Sequence, residues 1–218
     1  RGSGTDRCHG MSGWDTLNDA VQDTRALILA EAPDDSIAGE GEAYITRVVT
    51  AALSAAVMGH HLREGGLTRA LPVYGSPNPD YIMRSAGIDP TRTYRIEGQL
   101  NGSERVGIGV YRIGPNGAPM IAGYAAFDPR NCGPDGTFAL DIAPDATASD
   151  GISMPADARI LLCRTLHRDE RAAPARYHLI GNEDPRGPAL MTGSNDGALT
   201  FVAQGLRANV QEYLKWMH

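Results

Sequence analysis

The sequence predicts an α+β fold, with an antiparallel β-sheet or sandwich of about six or more strands flanked by two N-terminal helices and one C-terminal helix. Three observations carry that prediction. Apolar residues recur with a period of 3.6 up to about Leu62, switch to a period of 2 from Thr93 to Ile180, and return to 3.6 from Asn195. The middle stretch is cut by Gly, Pro and Asn turns at short spacing, which favours antiparallel strands over βαβ units.

The first helix is expected to start after Ser12, with Asp15 three residues on as in a capping box, and to stop before Pro33. Trp14, Leu17, Val21, Thr24 and Ile28 share one face. A second helix is expected from about Gly39 to Leu62, with Tyr44, Ile45, Val48, Val49, Ala52, Leu53, Ala56 and Val57 as its apolar stripe. Gly65-Gly66 ends it, and Pro72 to Pro79 reads as a loop. From Thr93, Tyr94, Ile96, Gly98 and Leu100 face one way and Arg95, Glu97 and Gln99 the other. Asn101-Gly102 predicts a hairpin, with Arg105 to Ile113 as the return strand. Further strands are expected at Pro119–Phe127, Thr137–Ile142, Arg159–Leu166 and Arg176–Ile180. A closing helix follows from Asn195 to Met217, with Leu199, Val202, Leu206, Val210 and Tyr213 in register. Residues 1–12 read as a flexible lead and 13–218 as one domain, helical over 13–66, β over 93–181 and closed by 195–217.

A net charge of −6 in 218 residues excludes the basic footprint of a nucleic-acid binder. Lys215 is the only lysine, so recognition of anions falls to arginine, whose planar fork suits carboxylate and phosphate. Cys8, Cys132 and Cys163 show no metal-ligand or CxxC spacing, so a reducing cytoplasm is the expectation. No apolar run reaches membrane-spanning length, and no membrane partner is expected. Arg1-Gly2-Ser3-Gly4 reads as an expression remnant, which leaves room for a removed export signal.

Several stretches resemble the domain-of-unknown-function family number 1214 in its short, single-domain bacterial form. Glu40-Gly41-Glu42-Ala43-Tyr44-Ile45-Thr46-Arg47 resembles that family's glycine-x-x-tyrosine-x-x-arginine stretch. Asn78-Pro79-Asp80-Tyr81 with Thr93-Tyr94-Arg95-Ile96-Glu97-Gly98 resembles its central motif. Asp135-Gly136-Thr137-Phe138 resembles a later strand start. Met154-Pro155-Ala156-Asp157-Ala158 leading into Ile160–Arg164 resembles its pre-terminal strand, whose arginine aligns with Arg164. Thr165-Leu166-His167 stands where the family usually has an aromatic pair. The resemblance implies a small β-rich domain with packed helices and no established chemistry.

Arg164 is the leading candidate residue. It shares a strand face with Ile160, Leu162 and Leu166, so a buried guanidinium is expected. Such a charge needs a partner: Glu97 or Asp141 in a structural ion pair, or the anionic group of a ligand. Arg47 lies three residues after Tyr44, so the two can be neighbours, either solvated or as a polar handle at a helix–sheet crevice. Asn78, Asp80 and Tyr81 form a polar turn that is structural or offers a base and a pocket wall. His60 and His61 fit a helix C-terminus better than a metal site. His167 and His178, with Asp169, could meet as an acid/base or metal cluster. Gly107 and Gly109 lie inside a strand, where they allow close packing or a bend. GxSxG, Walker A and HExxH signatures are absent from the sequence.

The resulting expectation is a binder of a small amphipathic or anionic metabolite in a crevice between sheet and helices. Ligand contacts are expected from Arg164, Arg47, Tyr44 and Asn78, with no cofactor and no metal. The alternatives are a cofactor-independent enzyme using Asp80, Tyr81 or His167, and a structural or oligomer-forming module. A homo-oligomer is compatible with each.

Overall fold

The computed structural model describes residues 12–58, 63–70, 80–115, 119–147, 151–181 and 196–217. Among them the fold is α+β: helices α1 (Gly13–Glu31) and α2 (Asp35–Met58) precede the strands of two sheets in the sequence, and α3 (Asp196–Met217) follows them. Chain contacts divide it into two compact units, 1–56 with 190–218 and 57–189.

In the helical unit, Ser12 caps α1. Its hydroxyl accepts from Asp15 N–H, and the Asp15 carboxylate accepts from Ser12 N–H at 3.0 Å, completing the capping box. α2 starts four residues earlier than its apolar stripe indicates, because Asp34 Oδ1 accepts from Ile37 N–H at 2.9 Å and caps it. Leu17, Ala20 and Ile28 of α1 pack with Tyr44, Ile45, Val48 and Ala52 of α2 and with Leu199, Val202, Ala203, Leu206 and Val210 of α3. Trp14, expected on the apolar face, is 62% exposed. The starts of α1 and α3 meet: Gly13 N–H donates to Asp196 Oδ1 at 2.8 Å, and a Cβ at Gly13 would come within 2.5 Å of the Asp196 backbone. Only glycine fits there. No helix among the described residues is long and apolar enough to cross a membrane.

In the β unit, ten strands among the described residues form two sheets. β1 (Arg63–Glu64), β2 (Leu67–Ala70), β3 (Tyr81–Gly87), β5 (Arg105–Ile113), β6 (Pro119–Phe127) and β9 (Ala158–Leu166) form one, in the order β1-β2-β3-β9-β5-β6. β4 (Tyr94–Gln99), β7 (Thr137–Ala143), β8 (Gly151–Ser153) and β10 (Arg176–Ile180) form the other, in the order β10-β4-β7-β8. Every pairing is antiparallel except β7 with β8. The inward rows interdigitate as one core: Val106, Ile108, Val110, Leu161 and Cys163 from the first sheet meet Tyr94, Ile96, Phe138, Leu140, Ile142, Tyr177 and Leu179 from the second.

Two local expectations change. Gly65 and Gly66 do not end a helix. Both have positive φ (58° and 78°) and make the two-residue turn of the β1–β2 hairpin. Asn101 does turn, with φ 49°, but β4 and β5 belong to different sheets. The turn is therefore an arch from one sheet to the other, pinned by Gly102 N–H on Ala173 O at 2.9 Å and Asn101 Nδ2 on Pro174 O at 2.9 Å.

Candidate functional site

Strand parity decides where the leading residue goes. In β9 the inward row is Leu161, Cys163 and Thr165, all buried, and the outward row is Ile160, Leu162, Arg164 and Leu166. Arg164 does share a face with those apolar residues, but that face looks out and Arg164 is exposed. The expectation of a buried guanidinium is thus corrected, and so are its proposed partners. Glu97 and Asp141 both bind Arg95 on the outer face of the second sheet, at 2.6 and 2.7 Å.

Arg164 is nevertheless held. Its Nη1 donates to Tyr111 Oη at 2.9 Å, and its guanidinium carbon lies 5.9 Å from the centre of the Tyr111 ring. No carboxylate pairs with it among the described residues. Half-exposed Leu162, Leu166 and Met83 surround it, Met83 lying directly opposite on β3. Its neighbour on β5 is Gly107, which contributes no side chain of its own on that side of the strand pair.

The outer face of β5 carries two such bare positions, Gly107 and Gly109, and a tyrosine lies over each. A Cβ at Gly107 would come within 2.3 Å of Tyr124 Oη, and one at Gly109 within 2.7 Å of the Tyr111 ring. Arg105 repeats the arrangement of Arg164: its Nη2 donates to Tyr124 Oη at 3.1 Å and its guanidinium carbon lies 5.8 Å from that ring. Sequence reasoning missed Arg105, Tyr111 and Tyr124. The available signal was the pair of glycines inside a strand, which leave room for aromatic rings to lie down.

The other predicted residues separate. Tyr44 is buried in the helical unit and stacks on Tyr213 at 4.6 Å between ring centres. Arg47, three residues on, is exposed. Asn78, His60 and His61 lie outside the described residues. Tyr81 begins β3 opposite Leu166, placing it on the same outer row as Arg164. Asp80 and His167 meet through the backbone, His167 N–H donating to Asp80 O at 2.8 Å. His167 Nδ1 lies 3.2 Å from Ser103 Oγ, a buried hydroxyl that also accepts from Ala175 N–H at 2.8 Å. His178 is exposed on β10, in the other sheet from β9, opposite Glu97. It is not on a strand beside His167, so the proposed cluster with Asp169 loses its basis.

One inward-facing arginine does exist. Arg84 of β3 lies opposite Cys163, its side chain 16% exposed, with Glu64 at 2.9 Å and the Tyr177 ring centre at 5.6 Å. Burial pushes the Cys163 thiol up to about 12, against a smaller opposing pull from Arg84. Tyr177 is pushed up as well, first by burial, and its hydroxyl lies 3.1 Å from Thr165 Oγ1.

Comparison with protein-family models gives no match, and comparison with curated proteins gives none. Among solved structures, an uncharacterised protein from Burkholderia cenocepacia superposes with a TM-score of 0.71 at 22% identity, over 94% of this chain and 59% of that one. The likeness shows a shared fold. This chain thus spans less than two thirds of the Burkholderia protein. A protein from Vibrio parahaemolyticus aligns over 82% of this chain and 43% of its own at 12% identity, with a TM-score of 0.33 that carries no argument.

Proposed function

We propose that this protein binds a small amphipathic anion on the outer face of its six-stranded sheet, with Arg164 taking the anionic group and Leu162, Leu166 and Met83 the apolar body. The observation that carries this reading is the setting of Arg164: exposed, without a carboxylate among the described residues, and oriented by the Tyr111 hydroxyl and ring. A guanidinium fixed in this way keeps free N–H donors for a carboxylate, sulfate or phosphate and loses little rotamer freedom on binding. The stretch that resembles the 1214 family ends on this residue, and membership of that family is part of the proposal.

An enzymatic reading has one observation in its favour, the Ser103–His167 contact beside Asp80. The Ser103 hydroxyl is buried and already engaged by Ala175, which makes it a brace for the arch rather than a nucleophile. Binding is therefore the preferred reading.

Calorimetric titration with decanoate, decanol and decylammonium tests it. Decanoate is expected to bind best, and Arg164→Ala to weaken it about tenfold or more, the worth of a charge-assisted hydrogen bond. Equal affinity for decanoate and decanol, or an unchanged affinity in the variant, would overturn the proposal.

A further inference from the structure

The Arg164–Tyr111 pair has a counterpart on the same sheet face. Arg105 and Tyr124 repeat its chemistry: a guanidinium N–H on a tyrosine hydroxyl, the charge over the ring, and the ring lying over a glycine of β5. Arg105 is exposed and, like Arg164, has no carboxylate partner among the described residues. The Arg105 charge is the smallest of the influences that lower the Asp128 pKa. That carboxylate is taken by Arg130 at 2.5 Å, whose hydrogen bonds are the main cause of its pKa falling to about 2.

The spacing of the two pairs follows from the strand. Tyr124 Oη lies over Gly107, and Tyr111 Oη is 3.1 Å from where a Gly109 Cβ would stand. Alternate residues of a strand are about 7 Å apart, so the two hydroxyl–guanidinium pairs are separated by about that distance. Gly109 is in register with Tyr124 on one side and Leu162 on the other, so both side chains border the two pairs. On a chain with a net charge of −6, these two arginines have no ion-paired carboxylate among the described residues.

Resting on the reading of Arg164 as an anion anchor, we propose that the ligand is a dianion, one anionic group on Arg164 and Tyr111 and the other on Arg105 and Tyr124, joined by a short apolar or planar middle lying across Tyr124 and Leu162. Dicarboxylates and carboxylates bearing a phosphate or sulfate at the far end fit this description. Each tyrosine hydroxyl, already accepting from arginine, keeps its own proton to donate to the bound anion.

A calorimetric series of α,ω-dicarboxylates of increasing length, each against the monocarboxylate of equal length, tests the inference on the full chain. An optimum is expected at intermediate length, where the dicarboxylate binds about tenfold or more tighter than its monocarboxylate. Arg105→Gln is expected to bring that dicarboxylate down to the monocarboxylate level. Gly107→Ala, which pushes the Tyr124 hydroxyl aside, is expected to do the same in part. Monocarboxylates binding through Arg164 with no dicarboxylate advantage at any length, or an advantage that survives Arg105→Gln, would overturn the dianion while leaving the single anchor standing. Absence of Arg164-dependent binding by either series would overturn both.

Discussion

Arg84 and Arg164 lie on paired strands of one sheet, one position out of register, and face opposite ways. Arg84 opposes Cys163 and points between the sheets, whereas Arg164 opposes Met83 and points out. The inward arginine has a carboxylate at 2.9 Å and the face of Tyr177 above it. The outward one has a tyrosine and no acid. Burial explains the difference, since a guanidinium removed from water must be neutralised and one at the surface need not be. A surface cation that is nonetheless fixed in place is where a ligand anion gains most.

The two faces can be separated by experiment. Leu161→Ala, on the fully buried row of β9, is expected to cost about 2–5 kcal/mol in urea unfolding, while Leu162→Ala one residue on costs under about 1 kcal/mol. Equal losses would mean that the strand parity is wrong. Arg84→Ala is expected to cost about 1–3 kcal/mol, through lost packing and the lost contact with Tyr177. Exposed Glu64 remains solvated in that variant.

The inner face also predicts a pH dependence. The Cys163 thiol is raised from 9.0 to about 12 by burial, so above pH 9 the unfolded chain loses this proton while the folded chain keeps it. Stability from this group is therefore complete below pH 9 and lost progressively up to about pH 12. Cys163→Ala is expected to flatten the decline in urea midpoint between pH 8 and pH 10. An unchanged slope would place the thiol in contact with water. The smallest effect belongs to Arg164→Ala, about 0.5 kcal/mol or less, read as a melting temperature close to that of the parent. A large loss there would make Arg164 structural and remove the basis for the binding site.

Much of the fold was legible because its signals are local. Ser12 with Asp15 marks the start of α1, and the alternation from Tyr94 to Gln99 separates core from charge. Strand β3 was not legible, because Tyr81-Ile82-Met83-Arg84-Ser85-Ala86 puts an arginine on its core side and apolar residues on its surface side. In β9 both rows are apolar, so periodicity groups Arg164 correctly with Ile160 and Leu162 without saying which row is inside. Asn101-Gly102 announces a reversal, and nothing local says that the next strand joins another sheet. The partners of the site come to it by strand pairing, Tyr111 through β5–β9 and Tyr124 through β5–β6, and the two glycines of β5 were the one local hint of them.

The contact of Gly13 with Asp196 has a consequence for biosynthesis. The third helix of the bundle follows the whole sandwich in the chain, so on the ribosome α1 and α2 emerge long before the partner that covers their apolar faces. The sandwich, contiguous from 57 to 189, has all its strands first. Synthesis therefore imposes an order of assembly, β unit before bundle. A stall just short of Asp196 would leave Leu17, Ile28, Tyr44 and Val48 without their cover and recognisable to chaperones.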